Sequence, residues 1–155
     1  MEADLRVLPP EELMEQLLAL LDVAEQVPLV ISGSSMFPFL HHRRDTVYLS
    51  KVTEPLKAGD MILYRRLTGQ YVLHRIVRAE RGRYVLLGDR QTVMEPGIRD
   101  SQILAVVTAV RRDGKLLKPG DRVWDFFEKS WIRMVRLRPW LIRGYILLTG
   151  HKPEQ

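Results

Sequence analysis

The sequence predicts a mainly β protein of antiparallel strands, with an amphipathic helix ahead of the sheet and a helical segment behind it. Three observations predict this class. Between residues 46 and 118, short apolar or alternating runs are separated by tight turns such as Leu67-Thr68-Gly69-Gln70 and Asp113-Gly114, which is hairpin spacing. Before the first strand, Leu13, Leu17, Leu20, Leu21 and Ala24 recur at helical spacing. From Asp121 onward Val123, Phe126, Phe127 and Ile132 return to that spacing. With 155 residues, 46% hydrophobic and 28% charged, a single domain around one core is expected. It divides into an N-terminal helix (1–27), a β region (28–118) and a basic helical tail (119–155).

Pro9-Pro10-Glu11-Glu12 opens the first helix, with proline in the first turn and carboxylates at the positive end of the dipole, and the periodicity predicts helix to about Gln26. Pro28 ends it, and Leu29-Val30-Ile31 reads as a short strand. His41-His42-Arg43-Arg44-Asp45 reads as a polar loop with both histidines on the surface, and nothing nearby supplies metal-ligand spacing. Strands are expected over 46–50, 61–65, 71–77, 84–87 and 103–110. The stretch 88–97 reads as an irregular polar loop, and Pro139 as a break in the terminal helix.

The absence of cysteine removes disulfides, thiolate metal sites and cysteine nucleophiles together. Net charge is +5, and its distribution is uneven: residues 1–110 hold 13 Lys/Arg against 14 Asp/Glu, whereas 111–152 hold 11 against 4. Within 129–152 six basic residues and no acidic ones are interleaved with Trp131, Trp140 and Tyr145. An anionic membrane surface is the partner expected there if those aromatics are exposed; packing on the β core is the competing fate. The aliphatic content suits neither a nucleic-acid patch nor a solvated tail, so no nucleic acid is expected. No secretory leader and no apolar run long enough to span a membrane is read, which predicts a cytoplasmic or peripheral membrane protein.

The chemistry centres on Ile31-Ser32-Gly33-Ser34-Ser35-Met36-Phe37-Pro38-Phe39-Leu40, where small residues beside a hydroxyl are fenced by bulky apolar ones. A serine hydroxyl is a weak nucleophile until a base takes its proton. His74, in the strand-like run Tyr71-Val72-Leu73-His74-Arg75-Ile76-Val77, is the base proposed for Ser35. Taken alone, each has an ordinary reading, as a packed histidine and as a turn. A carboxylate would fix the imidazole tautomer, and three are candidates: Asp89 and Glu95 about level, then Asp100. Asp89 has the alternative role of tying its own loop through backbone hydrogen bonds.

In that order, Ser35-Met36-Phe37-Pro38, Gly59-Asp60, His74-Arg75 and Gly88-Asp89 resemble the successive boxes of the type I signal peptidase family, over residues 30–110. A histidine at position 74, where the bacterial housekeeping branch carries lysine, makes the chain more similar to the branch of the endoplasmic reticulum, archaea and spore-forming bacteria. The resemblance implies an antiparallel β fold and a serine endopeptidase without cofactor or metal. The substrate it implies is an extended signal or leader peptide with small residues beside the scissile bond. It places the branch's last-box aspartate at Glu95, and Pro38-Phe39-Leu40 stands where Pro-Thr-Leu is typical. Gly33 replaces a hydroxyl that some members carry, so an oxyanion would rest on the Ser35 backbone N–H, with Ser34 and Arg75 in support. The competing expectation is a peptide-binding module that keeps the fold without turnover.

Overall fold

A computed structural model describes residues 10–154. Helix α1 (Pro10–Leu21) is followed by strands β1 (Val27–Val30), β2 (Thr46–Ser50), β3 (Met61–Arg65), β4 (Tyr71–Glu80), β5 (Arg83–Leu87) and β6 (Glu95–Arg99). Then come β7 (Ile103–Arg112), β8 (Lys115–Leu117), the short helix α2 (Arg122–Asp125), a π-helical turn (Phe126–Ser130) and two 3-10 turns. Helix α3 (Arg138–Thr149) completes the order. The strands form one eight-stranded sheet, β1-β2-β7-β3-β4-β5-β6 with β8 on β7, and every pairing is antiparallel. The mainly β, antiparallel architecture with flanking helices is therefore as the turns and periodicity predict.

Alternation along the strands sorts side chains to two faces. Met61, Leu63, Val107 and Phe39 join Leu17, Leu21, Trp124, Phe127 and Trp131 in the larger core cluster, roofed by the helices. Ile62, Tyr64, Ile76, Tyr84, Leu86 and Ile98 form a second cluster. His74 and Arg75 are neighbours on β4, so they point to opposite faces, and that parity decides much of the site.

Several boundaries differ from expectation for identifiable reasons. Helix α1 stops at Leu21, five residues short of Gln26, in a turn where Val23 and Ala24 N–H both bond the Leu20 carbonyl. Asp22 stands at the negative end of the dipole, and the last turn has no basic residue to offset it. Glu95 and Pro96 lie in strand β6 instead of a loop, because β6 is an edge strand, where a proline forfeits no ladder hydrogen bond. Pro139 does not break the terminal helix but occupies its first turn, where its missing N–H costs nothing. The irregular part lies just before, across the 3-10 turns Trp131–Arg133 and Val135–Leu137. His41 is buried against Phe37 and Tyr145, contrary to a surface reading. No helix among the described residues is long and apolar enough to cross a membrane.

Candidate active site

Ser35 and His74 line one cavity of about 270 Å³, with Ile31, Met36, Arg66, Tyr71 and Gln91 among its other walls. The serine arrives on the turn after β1, and the histidine projects from β4 opposite Ile62 of β3. Their side chains share the cavity without a direct hydrogen bond, a contact that catalytic pairs often tighten only around substrate. Among the described residues, the Ser35 N–H donates to no other group. One histidine earlier in the chain steadies this turn: the Gly33 N–H donates to His42 Nδ1 at 2.8 Å.

His74 is 2% exposed, and its polar contact is the Tyr64 hydroxyl, 3.3 Å from Nδ1. That hydroxyl in turn donates to Glu95 Oε2 at 2.6 Å. With its proton committed to a carboxylate, the phenol oxygen is left as an acceptor for Nδ1–H, which selects the tautomer whose Nε2 lone pair is free. Arg66 grips both Glu95 oxygens at 2.9 Å. Burial would raise the Glu95 carboxyl, but the hydrogen bonds from Arg66 and Tyr64 outweigh it and hold the carboxyl below its ordinary value. Burial also lowers His74 to about 4, against a smaller opposing pull from Glu95. The imidazole is therefore neutral at neutral pH and able to accept a proton.

Asp89 occupies a different environment. Its carboxylate is 0% exposed and receives Arg75 Nε and Nη2, each at 2.9 Å, and Arg75 Nη1 reaches the Gly59 carbonyl at 2.8 Å. The guanidinium lies 5.1 Å from the Phe39 ring, on the sheet face opposite to that of His74. Both Asp89 oxygens are thus committed to Arg75, and the carboxylate connected to His74 is Glu95, through Tyr64. Arg75 accordingly supports the site through Asp89 and not by facing Ser35. Asp100 accepts the Tyr84 hydroxyl at 2.6 Å, away from His74.

The turn at 88–91 backs the serine. Arg90 N–H donates to the Ser35 carbonyl at 3.0 Å, and Arg90 Nη1 donates to Ser34 Oγ at 2.9 Å. Approach is so close that a Cβ on Gly88 would stand 2.5 Å from the Ser35 carbonyl oxygen, so the glycine of this Gly-Asp step is there for space. The turn is held from behind by the C-terminal segment: Arg138 Nη1 donates to the Gly88 and Gln91 carbonyls at 2.9 Å, and Trp131 Nε1 to the Asp89 carbonyl at 2.9 Å. Arg138 and Trp131 are 1% and 4% exposed.

Sequence reasoning names Ser35, His74, Asp89, Glu95, Ser34 and Arg75 but misses Tyr64, Arg66, Arg90 and Arg138. Parity could have found Tyr64: folding β3 on β4 about the Leu67–Gln70 turn sets Ile62 opposite His74, and Tyr64 is on the same face one step along. Among the described residues, no group of three or more His, Asp or Glu side chains is placed to hold a metal ion. No protein-family model matches this chain, and a search of curated proteins finds no relative either.

Proposed function

We propose that the protein is a serine endopeptidase similar to type I signal peptidases, with Ser35 as nucleophile and His74 as general base. The observation that carries this reading is the shared cavity, in which the serine and a neutral, tautomer-selected imidazole face the same space. His74 Nε2 takes the hydroxyl proton as Ser35 Oγ bonds to the scissile carbonyl carbon, and the Ser35 N–H meets the resulting oxyanion. Collapse expels the amine, which leaves with the proton from His74, and an acyl ester remains on Ser35. Water, deprotonated by the same imidazole, then releases the new carboxyl terminus. Glu95 and Tyr64 hold the imidazole and offset the charge it acquires, whereas Asp89, Arg75 and Ser34 support the surrounding turns.

The substrate is an extended signal or leader peptide laid as an added strand beside the Ser35 segment. Ile31 and Met36 give the cavity a shallow apolar wall suited to small residues near the cut. The enzyme acts in the cytoplasm or at a membrane surface and needs no cofactor. A peptide-binding module without turnover is the second reading, favoured by the indirect connection of Glu95 to His74. Profiling cleavage of a proteome-derived peptide library by mass spectrometry separates the two. Cuts made by the native chain and lost in both Ser35→Ala and His74→Ala support the peptidase. The same cuts persisting in Ser35→Ala, or binding without any cut, rule it out.

A further inference from the structure

Helix α3 carries two apolar faces. One, with Ile142 and parts of Tyr145 and Ile146, packs on the larger core, and Arg138 on that side clamps the turn behind Ser35. The other presents Trp140, Leu141, Leu147 and Leu148, which are 74%, 40%, 78% and 89% exposed, continued by Leu137 at 55%. At ~100° per residue these five fall within an arc of about 120°, so they form one continuous stripe and not scattered surface residues. A contiguous exposed stripe of leucine and tryptophan marks an interaction surface.

Along the segment itself, from Lys129 to Lys152, the charge has one sign, and the next carboxylate is Glu154. Arg133, Arg136, Arg143 and Lys152 are all exposed, and no carboxylate occurs in 129–153. The stripe also adjoins the candidate active site. Leu137, Arg133 and Arg136 share a groove with Thr92 and Met94, and those two residues share the next cavity with Arg66 and Gln91, which wall the Ser35–His74 cavity. Val93, at the tip of this intervening loop, is 83% exposed.

We propose that the outer face of α3, together with the 92–94 loop, docks on an anionic lipid bilayer and holds the Ser35–His74 cavity beside the membrane surface. The helix has 12 residues, about 18 Å at ~1.5 Å per residue, so it lies in the interface and does not cross it. Leucines enter the acyl boundary, Trp140 takes the headgroup level, and the flanking arginines meet lipid phosphates. A second copy of the chain is the poorer occupant, because a two-fold contact through this stripe brings Arg136 and Arg143 of both copies together. The proposal rests on the helix face and not on the peptidase reading, and its test needs no substrate.

The test is flotation of the full chain with vesicles of phosphatidylcholine, alone or mixed with phosphatidylglycerol. Acrylamide quenching is read in parallel: Trp124 and Trp131 are 5% and 4% exposed, so the accessible signal is that of Trp140. Binding that requires the anionic lipid, weakens with salt and shields the tryptophan signal is expected. Arg136→Gln with Arg143→Gln should weaken it about 30-fold, from two lost charge–surface attractions. Leu147→Gln with Leu148→Gln, at exposed positions and with a helix-forming neutral residue that adds no charge to the negative end of the helix, should abolish it while circular dichroism stays native. Absence of flotation at low salt, equal flotation with neutral vesicles, or no effect of the leucine pair overturns the proposal. Dimerisation that the leucine pair abolishes, without lipid binding, gives the stripe to a second copy and overturns it too.

Discussion

Replacing Asp89 by asparagine should damage stability far more than chemistry. The carboxylate and the Arg75 guanidinium it pairs are 0% and 1% exposed, with two hydrogen bonds of 2.9 Å between them. Asparagine keeps the shape but returns one acceptor where two are needed, turns an N–H toward a guanidinium N–H, and leaves a buried positive charge without its counterion. Breaking a buried pair in this way costs about 3–5 kcal/mol, a large part of the ~5–15 kcal/mol that holds a domain together. For a chain of this size that lowers Tm by about 6–20 °C. Glu95→Gln is the control: the Glu95 and Arg66 side chains are 27% and 31% exposed, so stability should change by less than ~1 kcal/mol while kcat falls about 10- to 100-fold through loss of the Tyr64 anchor. Thermal and urea denaturation of both variants, beside turnover of a cleaved peptide, make the comparison. If Asp89→Asn keeps native stability but loses turnover, the division between a supporting Asp89 and an orienting Glu95 is wrong.

Tyr64→Phe removes only the hydroxyl between Glu95 and His74, and kcat should fall about 10- to 100-fold with KM unchanged; full activity would show that burial alone orients the imidazole. Gly88→Ala should cost ~1–3 kcal/mol by overpacking, because the atom met at 2.5 Å is a backbone oxygen that cannot swing aside, and turnover should fall further as Ser35 is displaced. Acid should destabilise the fold above the carboxylate range. His74 stays neutral down to about 4 in the fold but protonates near 6.5 when unfolded. The unfolded state therefore binds more protons between these values, and stability drops by about 2 kcal/mol from pH 7 to pH 5. That drop is the share of His74; His41, also lowered to about 4 by burial, adds a comparable one, so urea midpoints across the range should show His74→Gln removing about half of the slope and leaving its sign unchanged.

The features legible in sequence are those set by local pattern. Glycine-containing turns mark the strand ends, and leucines at helical spacing mark α1, because both depend on neighbours within a few residues. Ser35 and His74 each stand out through their immediate neighbours, whereas the cavity they share depends on how β4 lies beside the turn after β1. What escaped depends on pairing or on position in the sheet. Pro96-Gly97 looks like loop chemistry and is tolerated in β6 only because that strand is at an edge. Asp89 and Glu95 look alike in the chain, and their roles diverge because Arg75 and His74, one residue apart, face opposite sides of β4. Trp131 and Trp140 have similar surroundings in sequence, yet one bonds the Asp89 carbonyl and the other is 74% exposed.

The grip of Arg138 and Trp131 on the 88–91 turn sets an order of events during synthesis. All eight strands leave the ribosome before either residue does, so a nascent chain can pair its sheet while the carbonyls of Gly88, Asp89 and Gln91 still lack their donors. The turn that backs Ser35 gains these three carbonyl partners only once Trp131 and Arg138 are in place. On the peptidase reading, a nascent chain whose α3 is not yet in place holds Ser35 and His74 without the donors that frame the 88–91 turn.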